Sequence, residues 1–260
     1  MVLAKKSLGQ HWLNDDLALE SMAGAAEITK NDTVLEIGPG LGALTKLLVK
    51  VAGRVVAVEF DPEQAKNLSS LIKADNLTVI EQDILRFDFS ALPPDFKIAA
   101  NIPYYLTSHL VRILSELTNR PLITVLLVQK EVAERLAAHP GALSILGVSA
   151  QYYNIVSLGP VVPKGSFEPV PKVDSQIVIL RRRSEPIFGS IIDSSLFFRI
   201  VKAGFSQRRK TIENSLAGGL QLTKEASREL LAEASIPNTV RAQALSLDQW
   251  HMLYKAYCQL

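Results

Sequence analysis

Cysteine is nearly missing from this 260-residue chain: Cys258 is the only one, so an internal disulfide is excluded and a reducing, cytoplasmic setting is expected. Long apolar runs are missing as well. The longest largely apolar stretch, Leu122 to Val128, has the length of a strand, and the opening MVLAKKSLGQHW lacks the apolar segment of an export signal, so no membrane span is expected. Histidines are few and scattered, with His109, His139 and His251 at no ligand spacing, so no metal site is expected. A strong excess of one charge is also absent, since the formal net charge is +2. The distribution is uneven, however. Residues 1–180 carry 16 Lys and Arg against 19 Asp and Glu, while residues 181–260 carry 12 against 7. A polyanionic partner for the C-terminal part and a merely solvated helix surface both fit that asymmetry.

What is present is ample apolar content, 48% of residues, enough for a packed core and against disorder. From Asn31 to Leu180, short β-branched runs alternate with helical patterns: TVLEI (33–37), RVVAVEF (54–60), LTVI (77–80), FKIAAN (96–101), LITVLLV (122–128) and SQIVIL (175–180). That rhythm predicts βαβ units around a mostly parallel sheet with helices on both faces, an α/β Rossmann-like fold. Gly159 to Pro171 reads as an ordered loop, and from Ser194 onward the periodicity is helical. The expectation is a catalytic domain over 1–185 and a small all-α domain over 186–260. Nothing in the sequence calls for a second copy, so a monomer is expected.

Glu36-Ile37-Gly38-Pro39-Gly40-Leu41-Gly42 follows the first long strand run and leads into a helix predicted over Ala43 to Val51. Glycines there let a ligand approach the backbone, and Glu59, 21 residues after Gly38, is placed to accept from ribose hydroxyls. A nicotinamide dinucleotide shares these elements. Its sites favour G-x-G-x-x-G, whereas the spacing here is G-x-G-x-G preceded by a carboxylate, which suits a cofactor bearing a sulfonium and an ammonium but no phosphate, S-adenosylmethionine (SAM). Asp83, just past the third of these runs, fits the amino group of that cofactor's adenine; alone it reads more often as a helix cap or turn residue and carries no weight without the rest of the set.

Asn101-Ile102-Pro103-Tyr104 comes directly after the fourth run, at the edge where ligands of such sheets bind. The Asn101 side-chain oxygen and the Ile102 carbonyl can accept both hydrogens of an exocyclic adenine amine and turn its lone pair towards a methyl donor. Pro103 stiffens the turn, and Tyr104 offers a face for an extruded base. In isolation N-x-P-Y reads as a turn with an aromatic plug; its placement after that strand, beside the glycine turn and Glu59, points to N6-adenine methylation.

With these motifs the chain resembles, over nearly its whole length, the rRNA adenine N6,N6-dimethyltransferases, a class I SAM-dependent family, and in particular their bacterial 16S rRNA branch. Lys5-Lys6-Ser7-Leu8-Gly9-Gln10-His11-Trp12-Leu13 is similar to K-x-S-L-G-Q-N-F-L, with His11 and Trp12 replacing asparagine and phenylalanine. The resemblance implies cofactor contacts from Gln10, His11, Leu13, Gly38, Gly40, Glu59, Asp83, Ile84 and Asn101, and catalytic contacts from Asn101, Ile102, Pro103 and Tyr104. Phe167 to Ser175 resembles F-x-P-x-P-K-V-x-S, which implies that Phe167 packs the second face of the target base; without the family Phe167 reads as a core anchor. Phe205-Ser206-Gln207-Arg208-Arg209-Lys210-Thr211-Ile212 looks like the F-x-Q-R-R-K-T-L helix of the 16S branch, implying phosphate contacts from Arg208, Arg209 and Lys210, while Glu213 stands at a usually basic place. The implied reaction is dimethylation of two adjacent adenosines in a hairpin near the 3′ end of 16S rRNA in the small ribosomal subunit. Three rivals are weighed: a resistance-type 23S rRNA methyltransferase, against which the Q-R-R-K-T segment speaks; a DNA adenine methyltransferase, for which a sequence-reading domain is missing; and an RNA-binding ribosome-assembly factor with incidental methylation.

Overall fold

The computed structural model describes Lys5, residues 9–189 and residues 192–260; Lys6, Ser7 and Leu8 of the opening motif lie outside the described residues. In chain order the elements are β1 (Trp12–Leu13), α1 (Asp16–Ala25), β2 (Thr33–Ile37), α2 (Ala43–Val51), β3 (Arg54–Glu59), α3 (Pro62–Leu71), β4 (Leu77–Glu81), β5 (Lys97–Asn101), α4 (Thr107–Glu116), β6 (Ile123–Gln129), α5 (Lys130–Leu136), α6 (Ile145–Tyr153), β7 (Asn154–Val162), β8 (Phe167–Glu168) and β9 (Ser175–Arg182), followed by α7 (Ser194–Gly204), α8 (Ile212–Leu220), α9 (Lys224–Glu233) and α10 (Leu247–Tyr257). Seven strands form one sheet in the order β4-β3-β2-β5-β6-β9-β7. The pairs from β4 to β6 are parallel, and β9 runs antiparallel to β6, with Val125 opposite Ile179. Val, Leu, Ile and Ala fill the strands of the parallel part, and β2, β3, β5 and β6 are buried along almost all their length, as expected of a parallel sheet covered on its faces.

β7 corrects the sequence reading. The loop expected from Gly159 to Pro171 begins as strand up to Val162. Pro160 lacks a donor and argues against a central strand, but β7 closes the end of the sheet, where proline is tolerated.

The chain divides into two compact units, Met1–Glu134 with Ile155–Arg182, and Arg135–Asn154 with Arg183–Leu260. The expected boundary at 185 is therefore incomplete: the segment carrying α6 packs with the C-terminal helices. The reason is its apolar face. Leu143, Val148 and Tyr152 are buried in one cluster with Phe197, Ile200, Leu216, Leu231 and Trp250, and Tyr152 stacks on Phe197 at 4.9 Å between centroids. The other unit has its own core around Met22, Leu48, Val55, Val125 and Ile177. No described helix is long and apolar enough to cross a membrane.

Candidate active site

The functional residues of the first unit arrive at one place because the parallel strands end together. β2 ends at Ile37 and delivers Gly38, β3 ends at Glu59 opposite Glu81 of β4, and β5 ends at Asn101 opposite Leu127. A cavity of about 240 Å³ opens there, lined among others by Gln10, Glu36, Gly40, Glu59, Asp83 and Asn101. His11, Leu13, Gly38, Ile84, Ile102, Pro103 and Tyr104 also face it. Every site residue expected from the first unit is thus brought together, with one exception. Phe167 does not line the cavity; it pairs with Leu13 in the short β1–β8 ladder and is 3% exposed within the core. A two-residue ladder holds the Phe167 backbone, and apolar burial holds its ring.

The glycine turn is built for close approach. Gly38, Gly40 and Gly42 all take positive φ, which L side chains rarely adopt. A Cβ on Gly40 would lie 3.2 Å from the Trp12 indole, and one on Gly42 would lie 2.6 Å from Leu68 of α3, so the turn is packed from both sides. Trp12 thus seals the turn with a larger ring than the family's phenylalanine.

Two carboxylates dominate the electrostatics. Glu36 is 2% exposed, its Oε2 has no partner among the described residues, and burial pushes its carboxyl up to about 8. Burial also raises Glu59, although it accepts from the backbone amides of Gly40 at 3.1 Å and Asp61 at 2.9 Å. A buried carboxyl with one oxygen left unpartnered is costly unless a ligand completes it. Asp83 caps the turn Ile84–Arg86 by accepting from the Leu85 amide at 3.0 Å.

Asp61 carries no motif signal and was missed. Its side chain is 1% exposed, caps α3 through the Glu63 amide, and accepts from the Lys5 ammonium at 2.8 Å and more weakly from Gln10 at 3.4 Å. Burial alone would raise it; the Lys5 ammonium and the Glu63 amide hold it below the usual carboxylate range. It ties the opening segment to the site, and only the fold reveals this, because Lys5 and Asp61 are 56 positions apart.

At the methyl-accepting end, Asn101 Nδ2 donates to the His11 carbonyl at 3.2 Å, and the Tyr104 hydroxyl shares a 2.8 Å hydrogen bond with Ser175 Oγ. His11 Nδ1 lies 2.6 Å from the Pro169 carbonyl, and its ring stacks on Tyr104 at 5.8 Å between centroids with a tilt of 22°.

Residues 1–259 match the model of the ribosomal RNA adenine dimethylase family. The chain belongs to that family. This dimethylase is 40% identical over 260 residues to ribosomal RNA small subunit methyltransferase A of Dehalococcoides mccartyi, covering 98% of this chain and 89% of the relative. The protein of the same name from Clostridioides difficile is 38% identical over 261 residues, covering 95% and 89%. Among solved structures, a dimethyladenosine transferase from Plasmodium falciparum has TM-score 0.80 at 25% identity, covering 95% of this chain and 97% of that one. The 23S rRNA methyltransferase ErmE has TM-score 0.76 at 28% identity, covering 94% and 98%. The dimethylase is thus a class I, SAM-dependent rRNA adenine methyltransferase. Its cavity fits that cofactor, because the unpartnered Glu36 oxygen and the buried Glu59 are acceptors for cationic and hydroxyl groups.

In the helical unit, Arg208, Arg209 and Lys210 are exposed, and no ion pair holds them among the described residues. They sit on a turn between α7 and α8 and not on a helix as expected: α7 stops at Gly204, and α8 starts only after Thr211. Glu213 faces inward. It accepts from Asn238 at 2.6 Å and Arg228 at 3.1 Å, and the Arg228 partner holds its carboxyl below the usual range, so its departure from the basic pattern serves the helical unit's own packing. No group of residues with metal-binding character occurs among the described residues.

Proposed function

We propose that this dimethylase, acting as a monomer in the cytoplasm, methylates the N6 amines of two adjacent adenosines in a hairpin near the 3′ end of 16S rRNA, within the small ribosomal subunit. Relatives at 38–40% identity that carry the small-subunit name support the choice of substrate. The observation that carries the chemistry is the restrained Asn101 amide. Its nitrogen is committed to the His11 carbonyl, so its oxygen is left to accept.

When bound, SAM supplies a methyl group on a sulfonium. In this reading Glu36, Glu59 and Asp83, with Gln10, His11, Leu13, Gly38, Gly40, Ile84 and Asn101, hold that cofactor. Asn101 Oδ1 and the Ile102 carbonyl accept the N6 hydrogens and turn the nitrogen lone pair towards the methyl. Pro103 stiffens the turn that bears the Tyr104 face, and Tyr104 is itself fixed by Ser175. Each round would form one N–C bond at N6, release the demethylated cofactor and lose one N6 proton to water, so that two rounds, each with its own SAM, yield the dimethyl product. Arg208, Arg209 and Lys210 hold backbone phosphates.

The test is transfer of labelled methyl from SAM to undermethylated small subunits, large subunits and DNA in parallel, read by nucleoside mass spectrometry. N6,N6-dimethyladenosine confined to the small subunit is expected. Label in the large subunit would instead indicate the resistance-type activity, and absence of transfer an assembly factor. Asn101→Ala is expected to abolish transfer while SAM affinity falls far less, because Asn101 is one of several cofactor contacts but the side chain that aims N6.

A further inference from the structure

The three acids assigned to the cofactor, Glu36, Glu59 and Asp83, act as acceptors. They suit its ammonium, hydroxyl and amino groups, but an amino-acid ligand also carries a carboxylate, and that group needs a donor. Several polar nitrogens at the cavity are already engaged: the Gly40 amide donates to Glu59, Asn101 Nδ2 to the His11 carbonyl and Gln82 Nε2 to the Arg86 carbonyl. Trp12 is different. It lines the cavity, and its indole Nε1 is buried without a partner among the described residues. An indole nitrogen can only donate, and a buried donor left without an acceptor destabilises the fold. Phenylalanine, the family's residue at this place, would close the turn without that cost.

We infer that the Trp12 indole N–H donates to the carboxylate of bound SAM, making Trp12 a cofactor contact that reads the amino-acid end. Two placements carry this. The ring edge bearing Nε1 lies on the glycine turn, since a Cβ on Gly40 would be 3.2 Å from both Trp12 Cδ1 and Nε1. Glu36, whose unpartnered Oε2 is the acceptor for the ammonium, opens the motif that makes that turn. Ammonium and carboxylate hang from one carbon, so their partners have to be neighbours. Trp12 Nε1 and Glu36 Oε2 are the buried side-chain atoms of the lining that lack a partner among the described residues. One is a donor and the other an acceptor, as a zwitterion requires. The backbone that carries the indole is fixed beforehand by the β1–β8 ladder, Trp12 opposite Glu168, so little ordering is left for binding. This rests on the cofactor reading given above, and not on which RNA is methylated.

The experiment measures by calorimetry the Kd of wild type and Trp12→Phe for SAM and for decarboxylated SAM, which keeps the sulfonium and the ammonium but lacks the carboxylate. A hydrogen bond to a charged group contributes about 1.5–3 kcal/mol, so Trp12→Phe is expected to weaken SAM binding roughly 10- to 150-fold. Its affinity for decarboxylated SAM should match wild type, which also shows that the variant's site is folded. The chain has 2 tryptophans, so their indole signals are readily told apart. In wild type grown with isotope-labelled tryptophan, the indole N–H resonance that Trp12→Phe lacks should move downfield with SAM and not with decarboxylated SAM. Equal losses for both ligands would reduce Trp12 to packing against the turn and overturn the contact, as would unchanged SAM affinity or a resonance that moves alike with both. No RNA enters these measurements, so failure of the substrate assignment leaves them standing. Wild type that binds neither ligand would instead sink the cofactor site and the contact together.

Discussion

At the scale of single residues, the site's behaviour is governed by how burial treats each polar group. Glu36 holds a proton up to about pH 8, well above the ordinary value of 4.5. Between those values the folded chain keeps a proton that the unfolded chain has lost, so folding stability falls as pH rises through that window. Glu36→Gln should remove that slope, measured as the urea midpoint at pH values spanning the window, and should weaken SAM binding, because the neutral amide cannot become an anion beside a cationic ligand. An unchanged slope would mean that Glu36 ionises in solution without penalty. Glu213 behaves oppositely. Its carboxyl is held low by Arg228, so the stability it lends is present at neutral pH and is lost as pH falls through its depressed value.

At the scale of elements, the interfaces are set by side chains with no room to move. Gly204 ends α7 where a Cβ would lie 2.4 Å from the Trp250 ring of α10 and 3.0 Å from Ile212 of α8. Gly204→Ala should therefore cost about 1–3 kcal/mol by overpacking, seen as a lower unfolding temperature. Trp250 is fully buried, and Trp250→Ala should cost about 3–5 kcal/mol, while Trp250→Phe should cost less because the indole N–H has no partner among the described residues. The elements also show what was readable. α2 appears at the expected Ala43–Val51, because a glycine turn and an apolar stripe mark it. β7 and the turn bearing Arg208 were not readable, since proline tolerance depends on being at a sheet end, and since a run of basic residues has no periodicity that separates a turn from a helix.

At the scale of the whole molecule, charge is concentrated after residue 180, where 12 basic residues face 7 acidic ones. If the exposed Arg208 and Arg209 meet phosphates, Arg208→Ala with Arg209→Ala should weaken binding to small subunits. It should also flatten the dependence of log affinity on log salt by roughly 1.4 to 1.8 for two lost contacts. Salt dependence equal to wild type would place the phosphate contacts elsewhere on the chain. The division into two units was only half legible. The switch from β-branched runs to helical periodicity marks its C-terminal border, but α6 lies in the sequence among strands and joins the helical unit through Tyr152 and Val148, a choice made by which apolar surface covers them.

The sequence by itself determined the alternation of strand and helix, the glycine turn, the acids after the strands and the N-I-P-Y motif, because each rests on local periodicity or on chemistry confined to a few neighbouring residues. Only the tertiary structure decided that Asp61 anchors Lys5, that Glu36 is buried deeply enough to stay protonated, that Phe167 belongs to the core and that His11 lies on Tyr104. Those outcomes depend on which distant surfaces meet and on how much water they exclude, quantities that no local pattern encodes.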